Sequence, residues 1–234
     1  MCGRFSLTTD PQVLAAAFGI ADLPPLEGRY NIAPSQPVLA IRRLAPAEGR
    51  TAAWLRWGLV PPGSPDAPGA AALINARSES ASTKPAFRRA FRERRCAIPA
   101  DSFYEWAKGR RRVPYRIARR DGRPFAFAGL WERSEAPDGE PIESCTILTA
   151  APNEVVRPLH DRMPAILADE HLEAWLDPAL DDPARLQPLL RPYPAELVEA
   201  QPIDDWINDP RHEGPRCWQP QASLFGPPGP PRPR

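Results

Sequence analysis

The chain has 234 residues, of which 42% are hydrophobic and 25% charged, and its formal net charge is +1. That length can bury one substantial core, and no apolar stretch approaches the roughly 18 residues that a membrane-spanning helix needs. No basic start followed by an apolar run marks a secretory signal. Four widely spaced cysteines (Cys2, Cys96, Cys145, Cys217) without a C-x-x-C pair fit a reducing cytoplasm better than a disulfide scaffold. His212 and Cys217 lie close in sequence, but two isolated ligand types do not make a metal site.

Short strands and turns dominate the chain order. Pro11 to Phe18 reads as a helix, with Asp10 as its N-cap and Gly19 just past its end. Tyr30 to Pro34 is a turn-rich loop leading to a strand over Pro37–Arg42, and Thr51–Leu59 forms a strand carrying Trp54 and Trp57. Pro61 to Gly69 is a loop rich in Pro, Gly, Ser and Asp. Phe87 and Phe91 give Ala86–Arg95 helical spacing. Strand-like runs follow at Cys96–Pro99, Ser102–Trp106, Tyr115–Arg119, Phe125–Trp131 and Ser144–Thr149. Glu170–Trp175 is a short helix stopped by Asp177-Pro178. The low-complexity stretch Gly226–Arg234 is expected to be a disordered tail, leaving one domain over 1–225. The expected class is α+β, a single domain of mainly antiparallel, barrel-like β-sheet with a few peripheral helices.

The small net charge hides an asymmetry. Between Lys84 and Arg123 there are 14 Lys/Arg against 4 Asp/Glu, whereas Leu130 to Pro210 holds 18 acidic residues against 5 basic ones. Such an oriented field suits an anionic partner such as nucleic acid. Equally, Arg88, Arg89, Arg92, Arg94 and Arg95 fit the solvated side of a helix.

The chain opens Met1-Cys2-Gly3-Arg4-Phe5. A small side chain at position two favours removal of the initiator, which would leave Cys2 as an N-terminal aminothiol. Its amine (pKa about 7.7–8.0) and thiol (about 8.5) can attack one electrophilic carbon in turn. With an aldehyde the product is a thiazolidine; with an amide, the pattern is that of an N-terminal nucleophile hydrolase. Four other segments concentrate reactive groups. Asn75-Ala76-Arg77-Ser78-Glu79 offers an amide and a guanidinium fork suited to phosphate. Phe103-Tyr104-Glu105-Trp106 sets a carboxylate among aromatic rings, where desolvation raises its pKa toward that of a general acid. His160-Asp161-Arg162-Met163-Pro164 supplies an imidazole beside an arginine, and Arg4 stands two residues from Cys2.

Together these blocks resemble the SRAP family, the SOS response-associated peptidases or abasic-site processing proteins. The resemblance rests on Cys2-Gly3-Arg4-Phe5, Arg29-Tyr30-Asn31-Ile32-Ala33-Pro34, Trp57-Gly58-Leu59-Val60-Pro61, Asn75 to Glu79, Phe103 to Trp106 and His160 to Pro164, in family order over most of 2–167. Ile207-Asn208 is similar to a weaker form of the family's closing segment. The resemblance implies a covalent thiazolidine crosslink to abasic sites in single-stranded DNA, made without metal or cofactor by a cytoplasmic monomer that joins the nucleoid when bound. It implies catalytic roles for Cys2, Asn75, Glu105 and His160, and DNA contacts from Arg4, Arg77, Arg162 and Pro34. One departure stands out. The family's tryptophan after the Trp-Gly-Leu block has no aromatic counterpart in Pro61–Asp66, so a stacking contact of about 1–3 kcal/mol per base is missing there. Two rival readings remain, a thiol-dependent peptidase or amidohydrolase and a non-catalytic single-stranded DNA-binding module.

Overall fold

The computed structural model describes residues 2–63, 73–109, 112–136 and 138–221. In chain order the strands are β1 (Phe5–Leu7), β2 (Arg29–Ile32), β3 (Pro37–Arg42), β4 (Thr51–Trp57), β5 (Asn75–Arg77), β6 (Arg95–Ala100) and β7 (Ser102–Trp106). They continue with β8 (Pro114–Arg119), β9 (Phe125–Glu135), β10 (Pro141–Ala150), β11 (Met163–Pro164), β12 (Ile166–Leu167) and β13 (Val198–Pro202). The α-helices are short: α1 (Pro11–Phe18), α2 (Ser78–Ala81), α3 (Arg88–Glu93), α4 (Leu172–Leu176) and α5 (Pro183–Leu186).

Strand pairing closes one sheet on itself. β10 runs parallel to β4, and β4 pairs antiparallel with β3, β3 with β6, β6 with β9, and β9 again with β10. A closed ring of strands leaves no unpaired edge to manage. The far end of β10 extends this sheet by pairing with β5 in parallel and with β11 antiparallel. The second sheet, ordered β13-β8-β7-β1-β2, is antiparallel throughout. The α+β, mainly antiparallel class is therefore as expected, and the two parallel pairings of β10 are its exceptions.

Local sequence explains most boundaries. In α1, Asp10 Oδ1 accepts from the Gln12 and Val13 amides at 2.8 and 3.4 Å, and Gly19 ends the helix at φ 62°. β4 alternates in the two-residue period of a strand: Leu55 and Trp57 are buried, while Trp54 and Arg56 face out. β9 and β10 run longer than their apolar stretches because the added residues, such as Ser134 and Glu143, are polar and extend the hairpin by backbone pairing, with Glu143 also bridged to Arg42 at 2.9 and 3.0 Å. The helix expected over Ala86–Arg95 shrinks to α3 because Arg95 is taken into β6. The low-complexity tail lies outside the described residues, as does most of the loop expected over Pro61–Gly69.

Much of the arginine block is structural. Arg95 is buried and donates to the carbonyls of Trp175 (2.7 Å), Phe91 (3.1 Å), Arg92 and Asp177 (2.5 Å), and burial pulls its pKa down to about 10. Its neighbour Arg94 pairs with buried Glu132 at 2.8 Å. These two are not the solvated helix face that their spacing allowed.

The core joins the two sheets. The Phe5 ring of β1 sits edge-on to Trp57 at 5.2 Å and to Phe127 at 5.5 Å, and aromatic pairs of this kind add about 0.5–1.5 kcal/mol each beyond burial. Gly129, on β9 between β6 and β10, is a position without slack. A Cβ there would lie 2.8 Å from Cys96 Sγ and 3.2 Å from the Thr146 carbonyl oxygen. Gly129→Ala should therefore lower stability by about 1–3 kcal/mol through overpacking. Urea unfolding should show a lower midpoint at an unchanged slope; a parental midpoint would mean that the barrel yields at this point.

Candidate active site between the sheets

Four segments far apart in sequence converge around Cys2. The Tyr104 amide donates to the Arg4 carbonyl at 3.0 Å, continuing the β1–β7 pairing toward the N-terminus and bringing it alongside Glu105. Asn75, opening β5, is placed by its pairing with Ile147 of β10, and its Nδ2 donates to the Cys2 carbonyl at 2.7 Å. His160 ends the turn that follows β10, with its amide bonded to the Val156 carbonyl at 2.9 Å. Glu105 and His160 share a cleft of about 430 Å³ whose other walls include Trp106, Lys108, Arg112 and Leu159. All four residues expected to be catalytic thus meet in one place.

The electrostatics there are unusual for a stable core. Glu105 is only 4% exposed, and burial raises its carboxyl above the ordinary range against the opposing pull of the positive amino terminus and His160. The Cys2 thiol is fully buried and pushed well up, first by desolvation and then by the negative charge of Glu105. It is held as a thiol rather than a thiolate. Asn75 Oδ1 is buried and accepts no hydrogen bond among the described residues. At His160, Nδ1 lies 3.0 Å from the Arg162 amide and 2.8 Å from Asp161 Oδ1. These contacts exclude one another: Nδ1 accepts from Arg162 when it is bare and donates to Asp161 when it carries a hydrogen. The ring nitrogen therefore has a partner in either role.

The residues expected to touch DNA fall into different settings. Arg77 is exposed and forms no ion pair among the described residues. Arg162 is spent on a two-pronged bridge to Glu79 (2.5 and 2.8 Å) and on the Thr149 carbonyl at 2.5 Å, and this bridge holds the Glu79 carboxyl below its usual range. Arg4 is half-buried, bonded through Nη1 to Asn31 Oδ1 at 2.6 Å and to the Ile207 carbonyl at 3.0 Å. Pro34 lies half-buried in the turn between β2 and β3. The next residue, Ser35, adopts φ 69°, a conformation costing about 1 kcal/mol for a residue with a Cβ, and its amide is tied to the Trp57 carbonyl at 2.8 Å. Trp57 is fully buried, while Trp54 is 38% exposed. Sequence reasoning gave no role to Asn31, although it stands in a quoted block. It also passed over Lys108 and Arg112 at the cleft wall, whose signal was only their share in the basic stretch.

With this geometry in hand, comparison with known proteins is decisive. Residues 1–210 match the family model described as SOS response associated peptidase (SRAP). The chain belongs to the SRAP family. Among its relatives, the abasic site processing protein YoqW of Bacillus subtilis (strain 168) is 42% identical over 221 residues, covering 92% of this chain and 97% of that protein. The abasic site processing protein HMCES of Gallus gallus is 33% identical, over 83% of this chain and 68% of its own length. A solved structure of a protein from Bacteroides thetaiotaomicron superposes with a TM-score of 0.84 at 26% identity, covering 94% of this chain and 100% of that one.

The raised carboxyl of this SRAP chain carries a stability cost with a definite sign. Below the ordinary glutamate range, near pH 4.3, Glu105 is protonated in both folded and unfolded states and costs nothing. As pH rises from there through its folded-state value, the unfolded chain ionises first and stability is lost. Glu105→Gln should accordingly be more stable than the parent at pH 7, with the gap closing as pH falls below about 4. Thermal unfolding across this range checks it. A variant no more stable than the parent at pH 7 would show that the amino terminus and His160 outweigh burial.

Proposed function

We propose that this chain captures abasic sites in single-stranded DNA by forming a thiazolidine at Cys2, as part of the response to DNA damage. The observation that carries the reading is the meeting of Cys2 with a buried Glu105 whose carboxyl is raised above its ordinary range. Membership of a family whose curated relatives are named abasic site processing proteins supports the choice of substrate. No helix among the described residues is long and apolar enough to cross a membrane.

Loss of Met1 exposes the Cys2 α-amine. An abasic deoxyribose exchanges between a closed hemiacetal and an open aldehyde, and only the aldehyde reacts. Glu105, whose protonated form is favoured by burial, gives a proton to the ring oxygen and takes one from the anomeric hydroxyl as the ring opens. The amine adds to C1′ and water leaves, giving an imine. The thiol then adds to the imine carbon, and its proton passes by way of the Glu105 carboxylate to the nitrogen. In sum, one aldehyde and one aminothiol give one thiazolidine and one water. His160, whose Nδ1 has a partner both as acceptor and as donor, serves the proton that leaves with water. Asn75 fixes the Cys2 carbonyl, and its unpaired Oδ1 is free to accept from the amine; such positioning is worth several kcal/mol, up to about 7–11. Arg4, Arg77 and Arg162 contact flanking phosphates, with Arg162 trading its Glu79 bridge for the strand, and Pro34 packs against the sugar or base.

A thiol-first peptidase mechanism fits less well, because a nucleophilic thiolate is what the buried setting of Cys2 suppresses. A purely non-catalytic binding module has no use for Glu105 and Asn75 beside Cys2. Incubation with abasic single-stranded DNA and denaturing electrophoresis tests all three. The parent should give a shifted band and Cys2→Ala none, and intact mass should show that active protein lacks Met1. Cys2→Ser should give an adduct only when the imine is trapped by reduction; an equally stable serine adduct would remove the thiol from the mechanism. No shifted band with the parent would overturn the capture reading.

Two further outcomes separate the roles. Glu105→Gln should slow crosslinking to the closed abasic sugar far more than to a substrate that presents an open aldehyde, whereas His160→Gln should slow both. Equal slowing of Glu105→Gln on the two substrates would end its ring-opening role. For binding, Arg77→Ala should flatten the slope of log Kd against log salt by about 0.7, the share of one single-strand phosphate contact. An unchanged slope would return Arg77 to the protein surface.

A further inference from the structure

The block Arg29-Tyr30-Asn31 is absorbed by none of the chemistry above, yet it grips a segment about 180 residues away. Asn31 is fully buried on β2. Its Nδ2 donates to the carbonyls of Asp209 at 2.8 Å and His212 at 2.9 Å, which uses both of its protons. Its Oδ1 accepts from Arg4 Nη1 at 2.6 Å, and the same Nη1 reaches the Ile207 carbonyl at 3.0 Å. The Tyr30 amide donates to Glu213 at 2.7 Å, and Arg29 lies 3.8 Å from the same carboxylate. On the other side, Trp106 Nε1 donates to Asn208 Oδ1 at 2.7 Å. One buried amide therefore links the residue two places from Cys2, the strand preceding the Pro34 turn, and a segment that also holds the neighbour of Glu105.

We infer that Asn31 is a positioning residue for this site: it latches the 207–213 segment and, through Oδ1, sets the orientation of the Arg4 guanidinium. The inference rests on the reading of Arg4 as a phosphate contact. A guanidinium is a planar fork, so fixing one terminal nitrogen fixes the directions of the rest. With Nη1 held by Asn31 and Ile207, the Nε and Nη2 donors of Arg4 have no hydrogen-bond partner among the described residues and remain for a ligand. Without Asn31, the half-buried Arg4 would keep its charge and lose its direction. A structural amide alone would need only its bonds to Asp209 and His212; the bond to Arg4 is the part that couples it to the site.

The test is a double-mutant cycle on binding to single-stranded DNA that lacks an abasic site, so that crosslinking chemistry does not enter. Kd is measured against salt for the parent, Asn31→Ala, Arg4→Ala and the double variant, with thermal midpoints alongside. Each single variant should flatten the log–log slope by about 0.7, and the double by about 0.7 rather than 1.4, because both remove the same contact. A parental slope in Asn31→Ala beside a flattened slope in Arg4→Ala would overturn the inference and leave Asn31 purely structural, whatever its midpoint. Additive flattening in the double variant would do the same. A parental slope in Arg4→Ala would remove Arg4 as a phosphate contact, and the inference with it, while crosslinking to abasic DNA would still report on the capture reading. Should Asn31→Ala fail to fold, Asn31→Ser decides, because its hydroxyl is too short to hold both Arg4 and the 207–213 carbonyls. It should flatten the slope as Arg4→Ala does, and a parental slope beside a flattened one in Arg4→Ala would overturn the inference.

Discussion

The structure depends on burying its own beginning. Chain termini ordinarily fray, but β1 lies inside a sheet, paired with β2 on one side and β7 on the other. Phe5 anchors the strand from below by filling the space between Trp57 and Phe127 of the barrel. Its exit is tied as well: the amides of Thr8 and Thr9 and both hydroxyls bond to the Asp101 carboxylate. A terminus held at both ends of a three-residue strand cannot drift, and the residue that precedes the strand inherits that rigidity. This fixes the Cys2 thiol beside a particular carboxylate, that of Glu105.

Rigidity of this kind has a cost that the rest of the fold must offset. Glu105 is buried where its ionised form is disfavoured, Asn75 Oδ1 has no partner among the described residues, and the Cys2 thiol is sealed from water. A buried polar atom without a partner costs about 1–3 kcal/mol. None of these groups improves the packing around it, and a core selected for stability alone would replace them. The closed barrel and the aromatic contacts of Phe5 supply the offsetting burial, so the site is set against the most stable part of the molecule. That arrangement also explains why the groups gathered around Cys2 come from element ends. Cys2 precedes β1, Asn75 opens β5, Glu105 nears the end of β7 and His160 closes a turn, so each leaves the interior of its element to pack.

The parts of this legible in sequence were those written in local patterns. Asp10 and Gly19 mark α1 at its true ends because capping is decided by neighbours. Alternation shows β4, and β7 matches its expected span, because side-chain period survives without knowledge of partners. Four of the site residues could be named, but their meeting could not be derived from spacing, since it follows from which strands pair. β13 was missed because its outward residues are polar and it is held by backbone pairing to β8. Asn31 was invisible for a related reason. An asparagine in a turn-rich stretch reads as a turn residue, and only the arrival of the 207–213 carbonyls makes it a buried three-bond junction.

Charge shows the same divide most sharply. The basic stretch and the acidic stretch that follows it read as opposite poles of a field, yet in the fold several of their charges answer one another. Glu132 takes Arg94, Asp169 and Asp121 take Arg119, Glu199 takes Arg120, and four backbone carbonyls absorb Arg95. Paired charges a few ångström apart cancel at distances beyond the Debye length of about 8 Å at physiological salt, so these arginines contribute little to attracting a distant strand. What attracts an anion is charge left over near the reacting groups. Lys108 and Arg112 line the cleft that holds Glu105 and His160, and Arg77 follows Asn75 by two residues; none of the three has an ion pair among the described residues. A potential built from these few is local rather than global, consistent with a net charge of only +1. Such a local potential suits an anionic backbone held at the cleft better than a polyanion at a distance, where salt screens it.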